Sequence, residues 1–321
     1  MSEYGLVADV GGTNIRLALV NLSDGNIDNI QKFLCADYPT ITDVIRTYLS
    51  SQETQVTQAC IAIACPTDKD WIEMTNHSWA FSQKQVKADL ELDNLHLIND
   101  FTGIAMSIPT LGEDQKVQVK SGEVNPDAPI AVYGPGTGLG VAHLVKHQGE
   151  FICLPGEGGH VEFAPSDDKE MHILKFLQNR LGHVSAERLM SGPGLVNIYQ
   201  GLADFYQKTP ENFVPADITE RGLDGSCELC RETMEVFCRV LGSFGGNLAL
   251  NLSTFGGIYI AGGIIGRFMD FFKASDFIKR FEDKGRFKAF VNKVPVFVIT
   301  ESQPGLQGAA AYLRQANGYR I

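Results

Sequence analysis

No disulfide framework is written into this chain. Its seven cysteines are odd in number and scattered without the paired spacing of a secreted domain. No apolar leader precedes the charged start MSEYGLVADV. Both absences point to a reducing cytoplasm. Basic charge is short as well: 27 Lys and Arg stand against 38 Asp and Glu, a formal net charge of -11 at pH 7, with the acids spread along the chain. A polyanionic partner such as nucleic acid is therefore not expected. A nucleotide is not excluded, because a helix N-terminus or a backbone nest gives phosphate a local positive field inside an acidic protein. From Val240 to Gly266 charge is missing altogether, which invites a membrane reading. Eight of those positions are Gly, with Asn247, Asn251, Ser253 and Thr254 among the rest, so a helix packed closely on a strand fits better and no membrane partner is expected. Cys227 and Cys230 form a CxxC with no second pair nearby; a structural zinc normally needs four ligands, so these read as helix surface.

What is present is an ordinary globular balance, 44% hydrophobic and 20% charged over 321 residues, enough for two domains with a substantial core. Gly5 to Val10 and Ile15 to Asn21 read as strands joined by a tight hairpin, with a third strand near Ile27 to Cys35. A helix follows from about Thr40 to Ser51, then a buried run Ala59 to Ala64 broken by Pro66, then a helix Ser82 to Leu92. Strands alternating with helices predict an α/β fold with a mostly parallel sheet. WIEMTNHSWAF, residues 71 to 81, mixes aromatics with Asn76 and His77 and reads as a packed loop or a pocket wall. The polar stretch Leu111 to Pro129 reads as a passage between domains.

Several stretches carry chemistry. In LHLINDFTG, Leu95, Leu97 and Ile98 end a buried strand and a helix begins near Phe101, so Asn99 and Asp100 fall at a strand's carboxyl end. In open α/β sheets that is where ligands bind, and a carboxylate held there can take a proton from a substrate hydroxyl. Asp100 also reads as a cap of the helix beginning at Phe101, a common use of Asp. The hairpin turn Gly11-Gly12-Thr13-Asn14 lets backbone approach a phosphate, with Asp9 beside it to hold magnesium directly or through water; no Gly-Lys-Ser/Thr makes it a Walker loop. A plain polar turn is the alternative. Ile130 to Gly140 repeats the theme, with Gly136-Thr137-Gly138 after a strand, and this suggests a duplicated nucleotide-binding architecture. Glu157 and His160 lie in LPGEGGHVE, where a carboxylate and an imidazole can bind adjacent sugar hydroxyls; Glu187 reads as an early helical position suited to the dipole. Gly262-Gly263 ends the strand Gly257 to Ala261 and precedes a helix Ile265 to Lys273. After the last strand, Val294 to Thr300, small residues at helical spacing in QPGLQGAAA predict a terminal helix packed closely on the helix after Asp100.

Taken together, the chain resembles the bacterial glucokinases of the actin-like, hexokinase-type superfamily. The motifs DVGGTN, LINDFTGIA, YGPGTGLGVA, LPGEGGHVEFAP, HVSAERLMSGPGL, FGGNLALNL, IAGGI and QPGLQGAAAYLR occur in that family's order along the whole chain. The resemblance implies a ribonuclease H-like fold of two α/β domains around a cleft: a small one of residues 1–110 plus 301–321 and a large one of 111–300. It implies a homodimer that phosphorylates the 6-hydroxyl of D-glucose with ATP and magnesium. Asp100 resembles the family's general base, oriented with Asn99, while Glu157, His160 and Glu187 would bind the other hydroxyls. Gly11, Gly12, Thr13 and Asn14, with Gly136, Thr137 and Gly138, would cradle the phosphates. Asp9 would sit near the magnesium, and Gly262 and Gly263 would border the adenosine. The metal-binding cysteine cluster of the related repressor and kinase group is not visible, nor is an N-terminal DNA-binding segment, which speaks against a transcriptional regulator. A kinase for another hexose or amino sugar would share these motifs, and a non-catalytic sugar sensor or a polymerising ATPase would share the fold.

Overall fold

Burial on both faces marks the central strands. In the computed structural model, which describes residues 3–321, Leu6 to Ala8 and Ala59 to Ile63 have no exposed surface, the pattern of strands covered above and below. The chain groups into two units: residues up to Gln115 with Leu144–Pro155 and Glu301–Ile321, and Lys116–His143 with Gly156–Thr300.

In the first unit β1 (Tyr4–Val10), β2 (Asn14–Asn21) and β3 (Ile27–Leu34) form an antiparallel meander. Helix α1 (Ile41–Ser50), capped by the Thr40 hydroxyl, leads to β4 (Gln58–Ile63), which pairs parallel to β1. The stretch Trp71 to Phe81 forms a small hairpin, β5 (Trp71–Glu73) with β6 (Ala80–Ser82), and Ser82 then caps α2 (Gln83–Asp89). Strand β7 (Asn94–Asn99) pairs parallel to β4 and runs directly into α3 (Asp100–Ser107). The sheet order is β3-β2-β1-β4-β7.

The polar passage expected from Leu111 to Pro129 contains a strand, β8 (Lys116–Lys120). Its sequence KVQVK alternates, as an edge strand does. Lys120 nevertheless points inward, its Nζ donating to the carbonyls of Ser121, Asn292 and Val294 at 3.2, 2.9 and 3.0 Å. Strands β9 (Ile130–Pro135), β10 (Leu139–His147) and β11 (Glu150–Gly156) follow. Then come α4 (Asp168–Leu181), α5 (Gly192–Phe205), α6 (Pro215–Leu223) and the long α7 (Glu228–Leu252). A buried tie joins α4 to later helices: Glu170, with no exposed surface, accepts two bonds from Arg280 at 2.8 and 2.9 Å. After β12 (Ile258–Ile260), the helix expected over Ile265 to Lys273 is two pieces, α8 (Gly263–Gly266) and α9 (Met269–Ala274). The break is at Phe268, whose backbone turns to φ -139° while its ring is buried in the core. Helices α10 (Phe277–Glu282) and α11 (Lys288–Val291) precede β13 (Val296–Ile299). β9, β12 and β13 are parallel, and β8 closes the edge antiparallel to β13, in the order β11-β10-β9-β12-β13-β8.

The glycines of α7 serve packing: a Cβ at Gly245 would stand 2.8 Å from the Tyr133 Oη of β9, and one at Gly242 would strike the Phe277 carbonyl. No helix among the described residues is long and apolar enough to cross a membrane.

The last helix, α12 (Pro304–Ala316), lies on α3. A Cβ at Gly308 would fall on the carbonyl oxygen of Gly103 and stand 3.0 Å from the Ser107 nitrogen. The expected close packing of these helices is therefore present, and it is a backbone-to-backbone contact. Gly308→Ala must push the helices apart and should destabilise the protein by about 1–3 kcal/mol or more. Urea unfolding against Gly266→Ala, where a Cβ would meet nothing within 4 Å, checks this; equal midpoints for the two variants would refute it.

Candidate active site

The first unit gathers carboxylates at strand ends. Asp9 pairs with Ala62 of β4, and Asn99 pairs with Ile63 of the same strand, so β1 and β7 deliver Asp9 and Asp100 at their carboxyl ends on either side of β4. The helix cap is Asn99, not Asp100: the Asn99 Oδ1 accepts the Phe101 N–H at 2.9 Å. Asp100 is the first helical residue, and its Oδ1 shares that N–H at 2.9 Å. The reading of Asp100 as a mere cap is thereby corrected, since a neutral neighbour already does that work. Burial pushes the Asp100 carboxyl from an ordinary 3.8 up to about 6. The Phe101 N–H and the Asn99 amide pull it down, and the charge of Asp9 adds to the rise. Asp9 is itself raised by burial, with Arg16 at 3.6 Å in partial compensation.

Beside Asp9 stands the first glycine turn. Its carbonyls face the protein: Gly11 N–H reaches Asn14 O at 2.9 Å, Thr13 O accepts the Cys35 N–H at 2.9 Å, and Gly11 O accepts the Cys35 Sγ–H at 3.6 Å. Thr13 is exposed at the tip. The Asn14 Oδ1 is buried and has no partner. Gly12 is glycine for a reason the sequence did not disclose, because a Cβ there would stand 2.7 Å from the Cβ and carbonyl oxygen of Asn76.

The second unit brings its own residues together. Gly136 N–H closes the second turn onto Gly138 O at 2.8 Å, and Gly136 O accepts the Gly192 N–H from the start of α5, also at 2.8 Å. A Cβ at Gly136 would meet nothing, and Thr137 is exposed, so this turn is open on one side. Gly262, at φ +96°, passes so close that a Cβ would stand 2.6 Å from the Pro135 carbonyl oxygen, while Gly263 opens α8 with free space around it. Both therefore border the end of β9, from which the second turn springs.

Glu157 caps a short 3-10 turn, Gly158–His160. Its glycines are demanded by packing, since a Cβ at Gly158 would press Val141 at 3.0 Å and one at Gly159 would strike the Leu139 carbonyl. Glu157 and His160 are exposed, and neither side chain has a protein partner among the described residues. The segment after them is pinned by Ala186 N–H on Val161 O at 2.8 Å and Phe163 N–H on Val184 O at 3.1 Å. That packs the Glu157–His160 turn against the 3-10 turn Ala186–Arg188, which carries Glu187. Glu187 sits in this turn and not in the first turn of a longer helix. Its Oε2 accepts the Leu139 N–H at 3.0 Å and lies where a Cβ at Gly138 would be. One Glu187 oxygen is thus already committed to the second glycine turn, a link that no spacing in the sequence announced.

A glycine turn with an exposed Thr13, next to carboxylates that are at most partly compensated, suits a phosphate with a divalent cation. Among the described residues no group of three or more His, Cys, Asp or Glu could hold a metal, so a cation at Asp9 would keep water and phosphate ligands, the habit of magnesium. Burial raises the carboxyls of Asp9 and Asp100, Arg16 offsets Asp9 only in part, and a cation beside them would favour their charged forms.

The family model described as glucokinase matches residues 6–316. A glucokinase of Tolumonas auensis is 56% identical over the whole of both chains. Among solved structures, a glucokinase from an Antarctic psychrotroph is 36% identical and superposes with a TM-score of 0.92 over 98% of this chain and 100% of that one. A ROK family glucokinase from Streptomyces griseus, solved with glucose and AMPPNP, shares the fold at 18% identity and a TM-score of 0.60, over 97% and 99% of the two chains.

Asp100 carries a testable cost. Its carboxyl is near its ordinary 3.8 when unfolded and about 6 when folded, so the charged form opposes folding by up to about 3 kcal/mol above that value. Asp100→Asn should raise the melting temperature near neutral pH. The gain should shrink as pH falls through about 6 and vanish only below the unfolded 3.8, where both states of the parent hold the proton. Melting curves across this range check it, and a variant that melts below the parent near neutral pH contradicts it.

Proposed function

The chain belongs to the glucokinase family, and on that premise we infer that it is an ATP-dependent glucokinase, transferring the terminal phosphoryl group of ATP to the 6-hydroxyl of D-glucose. The observation that carries this reading is Asp100: a half-buried carboxylate at the end of β7, sharing the Phe101 N–H with the Asn99 cap and held nearer the working pH than an ordinary Asp.

A sugar hydroxyl cannot be deprotonated outright by a carboxylate. Asp100 accepts its proton as the new P–O bond forms, and a raised pKa makes that transfer less uphill. Asn99 holds the start of α3 so that the Asp100 oxygens keep their direction. Glu157 and His160, unpaired within the protein, bind other hydroxyls of the sugar, and Glu187 does so through the oxygen that Leu139 leaves unused. The turns Gly11–Asn14 and Gly136–Gly138 offer backbone N–H groups and the Thr13 and Thr137 hydroxyls to phosphate oxygens, while Gly262 and Gly263 border the adenosine. Phosphoryl transfer asks chiefly for positioning and charge neutralisation, and these residues supply the first. Magnesium held near Asp9 through water would supply the second. The nucleotide analogue in the Streptomyces griseus structure supports ATP as the donor. Seven free thiols support a reducing cytoplasm, and a homodimer belongs to the reading by resemblance.

Purified protein should form ADP only when magnesium and glucose are both present, with mannose, fructose and N-acetylglucosamine giving less. Asp100→Asn should lower turnover about a hundredfold to ten-thousandfold. Turnover led by another sugar would change the substrate, and near-parental turnover in the variant would remove Asp100 as the base.

A further inference from the structure

The hairpin of Trp71 to Phe81 carries none of the residues assigned so far to a substrate. Its anchoring is clear: Ile72, Met74, Trp79 and Phe81 are buried, Met74 N–H reaches Trp79 O at 3.1 Å, and the Trp79 indole N–H reaches Tyr38 O at 3.1 Å. These contacts close the tip Thr75 to Ser78, where Asn76 is exposed and His77 half-buried. Asn76 stands directly on Gly12, so the tip forms a wall of the first glycine turn.

His77 is engaged through one ring nitrogen. The backbone N–H of Trp79 donates to its Nδ1 at 3.2 Å, and the ring packs edge-on against the Trp79 indole at 4.7 Å. An Nδ1 that accepts carries no proton, so the ring proton is on Nε2, which becomes a donor. Among the described residues neither this nitrogen nor the Asn76 amide has a protein partner. Packing accounts for Trp79 and for the path of the chain; it does not account for two side-chain donors without a protein partner on a tip that itself packs against the first glycine turn.

We propose that His77 and Asn76 form a donor pair binding a phosphoryl oxygen of the nucleotide held at the Gly11–Asn14 turn. The inference rests on the kinase reading. Phosphoryl oxygens only accept hydrogen bonds, and both side chains offer N–H groups. The Trp79 bond presets the His77 tautomer, so the donor needs no rearrangement when the anion arrives. The pair adds two uncharged donors beside a turn whose neighbour Asp9 is anionic.

Two substitutions separate the donor from the scaffold. In His77→Asn the side-chain oxygen can keep the Trp79 N–H bond, but the side chain is too short to place an N–H where Nε2 stands. In His77→Gln the distal N–H is retained. Calorimetric binding of AMPPNP, which needs no turnover, is measured beside the KM values for ATP and glucose and the melting temperature. His77→Asn should weaken AMPPNP binding and raise the ATP KM about tenfold to a hundredfold, the loss expected for a hydrogen bond to a charged group, with the glucose KM and the melting temperature unmoved. His77→Gln should recover part of the loss, and Asn76→Ala should move the same quantities in the same direction. Unchanged AMPPNP affinity and ATP KM in His77→Asn would overturn the proposal, as would a rise confined to the glucose KM, which would give the pair to the sugar. Parent protein that binds AMPPNP without glucose-dependent ADP formation would sink the kinase reading while leaving the pair to be judged on binding; parent protein that binds no AMPPNP would overturn both.

Discussion

The contact on which the first unit depends is backbone against backbone, where Gly308 of α12 meets the carbonyl of Gly103 in α3. Without a Cβ at Gly308 the helix backbones touch, where larger side chains would hold them apart. Two other glycines extend the effect. Gly103 sits 3.1 Å, measured from an added Cβ, from the Ala62 side chain of β4, and Gly305 sits 2.9 Å in the same sense from the Asp9 Oδ1. The start of α12 therefore presses on Asp9 while its middle fixes α3, whose first residue is Asp100. Both carboxylates owe their places to one stripe of small residues, and the positive end of α12 partly offsets the charge of Asp9.

That arrangement is costly in the native state, which is informative about what it is for. Burial raises Asp9 and Asp100 alike, and Asp9 raises Asp100 further. Elsewhere this chain answers a buried charge with a close partner: Glu170 receives two bonds from Arg280, and Lys120 is surrounded by three carbonyls. Asp100 has no cationic partner among the described residues and is served by the Phe101 N–H, which it shares with Asn99, and by the Asn99 amide. A fold that neutralises its other interior charges leaves this one poorly served at some expense of stability, the pattern that functional sites commonly show.

Much of this was legible in the sequence, though not always for the right reason. The strand-to-helix change at Asn99–Asp100 and the packing of the terminal helix on α3 could be read from apolar runs and small-residue spacing. The glycine turns could be located, but glycine was taken to mean room for a ligand. At Gly136 that space is present; at Gly12, Gly138 and Gly159 the missing side chain makes way for Asn76, Glu187 and Leu139 of the protein itself. Such contacts join residues distant in sequence and leave no periodic trace. Strand β8 was hidden because an edge strand can afford Lys and Gln, and a buried Lys120 looks like any other lysine. Leu144–Pro155 groups with the first unit, in part because the Gln315 amide brackets the Phe151 backbone at 2.8 and 2.9 Å, a bond between side chain and main chain that no composition shift announces.

Glu187 illustrates what the missing contacts mean for chemistry. The resemblance made it a sugar ligand and Gly136–Gly138 a phosphate turn, as though two sites had been written separately. In the second unit one Glu187 oxygen holds the Leu139 N–H at the end of that turn, and the Gly192 N–H holds the Gly136 carbonyl at its beginning. The side chain that would meet a hydroxyl thus also sets the path of the backbone that would meet a phosphate. Rotating Glu187 to improve one interaction would release the other, so the two binding tasks share a rigid part and are not independently adjustable. This explains physically why SAERLMSGPGL and GPGTGLG belong in one chain: the first motif braces the second.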